Sequence, residues 1–168
     1  QFPGTVKDNL VSVFAEADIY ITNNLAAKLG SRLEHSDVIG KWNLAPRASV
    51  AYKFADNSQA SFAYGLFYQN PERRYLPAAA SLDYSRAAHY ILQYQKLTSQ
   101  RTFRIEAFYK KYSDLYKTTV SVGGQETASS NNGFGDAKGV ELFWRDRKTF
   151  KDVDYWISYS YLDTKRDY

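Results

Sequence analysis

The sequence predicts an all-β fold, an antiparallel up-and-down meander of about eight strands. Three observations predict it. Apolar and polar residues alternate at every second position in eight separate runs, the period of a strand with two unlike faces. The links between runs also alternate, short after runs one, three, five and seven, longer after runs two, four and six. Aromatic residues make up 17% of the 168 residues, with 15 Tyr and 10 Phe, and they gather near both ends of the runs.

The first run spans 11–21. It sets Val11, Val13, Ala15, Ala17, Ile19 and Ile21 against Ser12, Phe14, Glu16, Asp18 and Tyr20. A helix would scatter these residues around its circumference, whereas a strand sorts them onto two sides. Asn23-Asn24 follows as a tight turn, since Asn tolerates positive φ. The second run, about 25–36, sets Leu25, Ala27, Leu29 and Leu33 against Lys28, Arg32 and Glu34. A third, about 45–54, sets Ala48, Val50, Tyr52 and Phe54 against Arg47, Ser49 and Lys53, with Pro46 at its beginning, where a missing N–H is tolerable.

After the turn Ala55-Asp56-Asn57-Ser58, a fourth run places Ala60, Phe62, Tyr64, Leu66 and Tyr68 on one side. Runs five and six, about 87–96 and 101–111, flank the turn 97–100. Their apolar sides are Ala88, Tyr90, Leu92 and Tyr94, then Phe103, Ile105, Ala107 and Tyr109. Run seven, about 137–146, carries Val140, Leu142 and Trp144; run eight, about 153–163, carries Tyr155, Ile157, Tyr159 and Tyr161. The two longest links are 70–86 and 112–136, and 163–168 reads as the start of another long loop.

Segregation of short turns and long loops to opposite ends is the pattern of a transmembrane β-barrel. The rings agree with it. Tyr20, Phe54, Tyr94, Phe103, Trp144 and Tyr155 fall near the short-turn ends, and Tyr68, Tyr90, Tyr109 and Tyr161 near the long-loop ends. Two such belts suit the headgroup depth on either side of a bilayer. Parity alone leaves open whether the apolar side meets lipid or a soluble core. Run length favours lipid, because about 9–11 tilted residues cross the hydrocarbon layer. The opposite side would then line a hydrated lumen with Glu16, Asp18, Arg32, Arg47, Arg104, Glu106, Glu141 and Arg145.

Other classes find little support. The net charge of +4 comes from intermixed basic and acidic residues, with no Lys/Arg block of the kind that binds nucleic acid. The absence of Cys excludes disulfides and thiolate chemistry. No apolar stretch approaches a membrane helix. His35 and His89 are far apart and show no metal-ligand spacing. Gly133-Phe134-Gly135-Asp136-Ala137-Lys138-Gly139 lacks the ending of a phosphate loop and reads as a flexible loop entering run seven. The Glu16–Asp18 pair lies beside Lys and Arg on neighbouring runs, which points to ion pairing rather than acid–base work. The expectation is therefore no catalytic residue, no metal and no cofactor. Ligand contact is expected from Arg73, Arg74 and Tyr75 in one outer loop and from Tyr112, Asp114 and Tyr116 in the other.

Several phrases resemble the barrel of TonB-dependent outer-membrane receptors. Leu44-Ala45-Pro46-Arg47-Ala48-Ser49-Val50-Ala51-Tyr52 is similar to that family's "PR" strand, and Tyr64-Gly65-Leu66-Phe67-Tyr68-Gln69-Asn70-Pro71 to the exit that follows it. Ala107-Phe108-Tyr109-Lys110-Lys111-Tyr112-Ser113-Asp114-Leu115, Lys138-Gly139-Val140-Glu141-Leu142-Phe143 and Tyr159-Ser160-Tyr161-Leu162-Asp163-Thr164 resemble later strands. The loops resemble Bacteroidetes-type members. The resemblance implies a fragment of a 22-stranded transmembrane barrel in the outer membrane of a Gram-negative cell. It further implies an N-terminal plug and energy from the TonB complex acting through that plug.

This sequence shows about eight strands and no plug, TonB box or closing strand, and Gln1-Phe2-Pro3-Gly4 is neither a signal peptide nor a start at Met. The expectation is an excised piece, about a third of such a barrel. It would close, self-associate through open strand edges or remain an open sheet. The leading function is uptake of a scarce small molecule or glycan, such as an iron chelate, a vitamin or a polysaccharide fragment. The alternatives are a self-contained eight-stranded membrane barrel with a structural or adhesion role, and a soluble barrel holding a hydrophobic ligand.

Overall fold

A computed structural model describes residues 7–72, 82–120 and 126–167. They form one antiparallel sheet of eight strands in sequence order. The strands are β1 (Leu10–Tyr20), β2 (Leu25–Ser36), β3 (Lys41–Lys53), β4 (Ser58–Gln69), β5 (Ser85–Leu97), β6 (Arg101–Val120), β7 (Glu126–Asp146) and β8 (Tyr155–Arg166). There is no second layer among the described residues. Val50, Phe62 and Ile157 are 39%, 42% and 56% exposed, and among the described residues the buried apolar ones are Ala45, Leu82, Tyr84 and Ala137. A soluble sandwich or filled barrel would seal those apolar side chains inside. Here they form an open sheet face.

The ladders divide the side chains into two populations. One continuous row runs Ile19, Ala27, Val50, Phe62, Leu92, Ala107, Val140 and Tyr161, apolar across all eight strands. A row on the other face runs Glu16, Gly30, Arg47, Gly65, His89, Lys110, Ala137 and Thr164. The stagger is regular. The row through Ala17, Leu29, Ala48, Tyr64, Tyr90 and Tyr109 lies three, four, five, six, seven and eight residues from Tyr20, Leu25, Lys53, Ser58, Leu97 and Arg101, the ends at the short turns. One residue per strand is a rise of about 3.3 Å for each strand spacing of about 4.8 Å, a strand tilt of about 35°. That is the tilt of a barrel wall.

The same stagger places the rings. Tyr94, Phe103 and Trp144 follow one another at centroid separations of 6.2 and 6.1 Å at the short-turn end, and Tyr64, Tyr90 and Tyr109 at 5.2 and 6.2 Å nearer the other end. On β7 and β8 the latter row has climbed far enough to become the pair Lys138–Asp163, 3.5 Å apart. Tyr20 keeps the side its parity predicts but falls outside the lipid-side belt expected to include it. It opposes Ala26, in the row that continues through Ala51, Ser61, Gln93, Glu106 and Glu141, so its ring lies on the polar side.

Several local expectations are corrected. Residues 112–120 and 126–136 are not loop: β6 and β7 continue through them, 20 and 21 residues long, about 65–70 Å against about 40 Å for their neighbours. Register shifts between Tyr112 and Leu115, Leu115 and Lys117, and Lys117 and Thr118 hide the strand by breaking its alternation, and Asp114 takes φ 56° within them. The Gly133–Gly139 stretch, expected as a flexible loop, belongs to β7. The β2–β3 link is four residues, closed by the Gly40 N–H donating to Ser36 O over 2.8 Å with Gly40 at φ 69°. The expected loop after 163 is strand as far as Arg166, opposite Gly135.

The turn after β1 does not use positive φ at Asn23 or Asn24. Instead Thr22 Oγ1 accepts from the N–H groups of Asn24 and Leu25, at 3.2 and 3.0 Å. Pro46 sits inside β3, not at its start. The β3–β4 ladder stops at Arg47↔Gly65, so 41–46 are paired on the β2 side alone and no donor is missed at Pro46.

Candidate functional site: the polar face and the seam between β3 and β4

All eight residues expected along a lumen share one face of the sheet: Glu16, Asp18, Arg32, Arg47, Arg104, Glu106, Glu141 and Arg145. Their neighbours differ, and the differences matter. Lys28 lies 2.9 Å from Glu16 and 3.3 Å from Asp18, so one ammonium bridges that carboxylate pair across the β1–β2 ladder and offsets one of its two charges. Arg32 Nη2 reaches Glu34 at 2.8 Å and Ser12 Oγ at 3.1 Å. Arg145 leans toward the β7–β8 turn and holds Asp154 through two contacts of 3.0 and 2.5 Å. These exposed pairs contribute little stability individually. The Arg145 guanidinium, with Arg147 beside it, holds the Asp154 carboxyl down to about 2.

Others on this face have no ionic partner among the described residues. Glu106 stands directly opposite Glu141, like charges that cross-strand pairing penalises. Arg104 lies over the Phe143 ring at 5.8 Å and Arg47 over Phe67 at 4.8 Å. Phe67 in turn stacks on His89 at 4.5 Å. Gly65 makes this possible. A Cβ there would meet the Phe67 ring at 2.8 Å, so only glycine lets the ring fold back across the strand.

Above the last β3–β4 pair the two strands separate, and residues 82–84 fill the gap from the long-loop end. The Tyr84 hydroxyl donates to Lys41 O at 2.9 Å and accepts from the Ser36 N–H at 3.1 Å. Asp83 takes Lys41 Nζ at 2.6 Å and accepts at its own backbone O from Asn131 Nδ2 at 3.0 Å. Leu82 packs on Tyr116, whose hydroxyl donates to Asp83 O at 2.7 Å. Burial pushes the Tyr84 phenol up. Burial also acts to raise the Asp83 carboxyl, but the Lys41 ammonium and the Tyr84 N–H outweigh it and hold the group below its ordinary range.

The six expected ligand-contact residues divide in two. Arg73, Arg74 and Tyr75 lie outside the described residues. Tyr112, Asp114 and Tyr116 lie on β6 rather than in a loop. Tyr112 faces the polar side between Ala87 and Gly135; Asp114 lies 3.5 Å from Arg86, and its carbonyl accepts from Asn131 at 2.8 Å. Asp114 and Tyr116 thus brace the 82–84 segment.

Sequence reasoning missed Asp83, Tyr84, Asn131 and Asn43. No periodic signal marks them, because each acquires its role from a contact 33 or more residues away in the chain or from the strand separation itself.

The family model described as "TonB dependent receptor-like, beta-barrel" matches residues 1–168. The chain belongs to this family. Its fold is similar to the crystal structure of the outer membrane transporter YddB from Escherichia coli, with a TM-score of 0.77 at 14% identity over 97% of this chain. That alignment covers 25% of the YddB chain, so the present chain spans about a quarter of its length. No curated protein matches the sequence.

Proposed function

We propose that this chain is a wall segment of an outer-membrane, TonB-dependent transporter that imports a scarce nutrient such as an iron chelate, a vitamin or a glycan. The apolar face meets lipid and the polar face lines the lumen. The Tyr112, Asp114 and Tyr116 end points out of the cell. The carrying observation is the sheet itself: one face carries an apolar row across all eight strands, the other is charged, at a stagger fit for barrel closure. A family match over the whole chain supports the same reading. Energy would arrive from the TonB complex through a plug held inside the complete barrel.

The test is uptake by cells carrying the intact receptor, offered radiolabelled ferric chelates, cobalamin or oligosaccharides, with and without the energising complex. Accumulation of one class that disappears when either the receptor or TonB is deleted is the expected result. Accumulation of all three classes that is indifferent to both deletions overturns the proposal.

A further inference from the structure

On the polar face, a cleft of about 220 Å³ lies beside the β3–β4 seam, lined by Arg32, Glu34, Asn43, Ala45, Arg47, Phe67 and Tyr68. Among the described residues, three buried side-chain polar atoms make no hydrogen bond, and two of them, Arg32 Nε and Asn43 Nδ2, belong to residues lining this cleft. Asn43 is 7% exposed, and although its amide lies against the Tyr84 hydroxyl, it completes no bond there. The Arg47 guanidinium lines the same cleft and two adjoining depressions of about 210 and 240 Å³, with a ring beneath it; Glu34 and Glu16 line these spaces too, but neither forms an ion pair with Arg47 among the described residues. Glu34 answers only the Nη2 side of Arg32, and Nε is buried without a partner.

Buried donors left without acceptors cost about 1–3 kcal/mol each, more when charged, so such a cluster calls for an acceptor. Two guanidiniums and one carboxylate leave an excess positive charge. Planar guanidinium edges match the paired oxygens of an oxyanion. Phe67 supplies an apolar wall for whatever carries it.

We propose that Arg32 Nε, Asn43 Nδ2 and the Arg47 guanidinium form an oxyanion subsite that takes a carboxylate or phosphate. The oxyanion comes either from a soluble ligand or from an acidic side chain elsewhere in the receptor. The subsite rests on the polar face being lumenal. Its failure would leave the uptake assay above unaffected, so the two are separable.

The test is phenylglyoxal modification of Arg47 in the intact detergent-solubilised receptor, read by peptide mass spectrometry, with citrate or inorganic phosphate as probe. Slowing of at least fivefold that requires the probe assigns the site to a soluble oxyanion. Slowing of that size without any probe assigns it to a carboxylate of the receptor. In either case Asn43→Leu and Arg32→Gln should each restore most of the reactivity, and Arg47→Gln should weaken any calorimetric citrate binding at least tenfold. Modification at the rate of a free arginine peptide under every condition overturns the proposal. So does protection that persists in both variants, which would then come from stacking on Phe67 alone.

Discussion

Replacing Leu92 by Arg separates the two faces more sharply than any other single change. Leu92 sits in the fully apolar row, between the Tyr90 and Tyr94 positions that carry the two groups of rings, and is 57% exposed on the sheet. An arginine at the midplane of a barrel's lipid face costs about 2–4 kcal/mol. Converted at about 1.4 kcal/mol per decade, this is a loss of roughly 30- to 700-fold in the folding equilibrium. Gln93 is the adjacent residue on the opposite face, in one row with Ser61, Glu106, Glu141 and Ser160. Arginine there enters a polar row next to two unpaired carboxylates, so Gln93→Arg should stay within about 0.5 kcal/mol of the parent or stabilise it slightly. The assay is urea-dependent folding of the receptor into phospholipid vesicles, comparing both variants with the parent. If Gln93→Arg costs more than Leu92→Arg, the faces are inverted. If both are neutral, the sheet does not stand in hydrocarbon at all.

Three further outcomes follow from the contacts described. Tyr84→Phe removes the hydroxyl shared by the Ser36 N–H and Lys41 O and should cost about 1–3 kcal/mol, with faster hydrogen exchange at the Ser36 amide as the readout. Gly65→Ala drives the Phe67 ring off Arg47; about 1–3 kcal/mol of stability should be lost in the vesicle-folding assay, with a faster Arg47 reaction toward phenylglyoxal. Asp154, paired with Arg145, and Asp56, hydrogen-bonded by Lys96 and Ser58, should both titrate near 2 against an ordinary 3.8 in a carbon-13 carboxyl titration. Since both values are depressed in the folded state, the stabilisation they give is complete above about pH 4 and is lost as the pH falls toward 2. Titration of either group near 3.8 would show that these turn contacts do not form.

The strand pattern was legible because a sheet with two different environments stamps a period of two on every strand it contains. Val11–Ile19, Ala60–Tyr68 and Tyr155–Tyr161 needed nothing beyond that period. It failed where the backbone itself departs from regular pleating. The bulges after Tyr112 shift the phase of β6, and Gly133, Gly135 and Gly139 in β7 interrupt the alternation of side chains, so paired strands looked like a loop. Arg32 and Arg47 were selected as polar-face residues on parity alone. Asn43 was not, because it precedes the region where β3 alternates plainly and is buried only because β3 and β4 part company above Arg47. Tyr84 was invisible for a related reason. Its partners, Ser36 and Lys41, flank a different turn, and only the assembled sheet brings the three together.

The one-residue climb from strand to strand also constrains how such a wall can change length over evolutionary time. Inserting or deleting a single residue within a strand exchanges the two faces at every position beyond it, which in the proposed barrel would place Arg47 or Glu106 in oil and Val50 or Ile105 in water. Adding or removing residues two at a time preserves orientation and merely slides one stave of the cask past the next. Gene-level length variation inside these strands should therefore come in even steps, and odd steps should collect in hairpin ends such as 37–40 and 147–154, which carry no such memory of side.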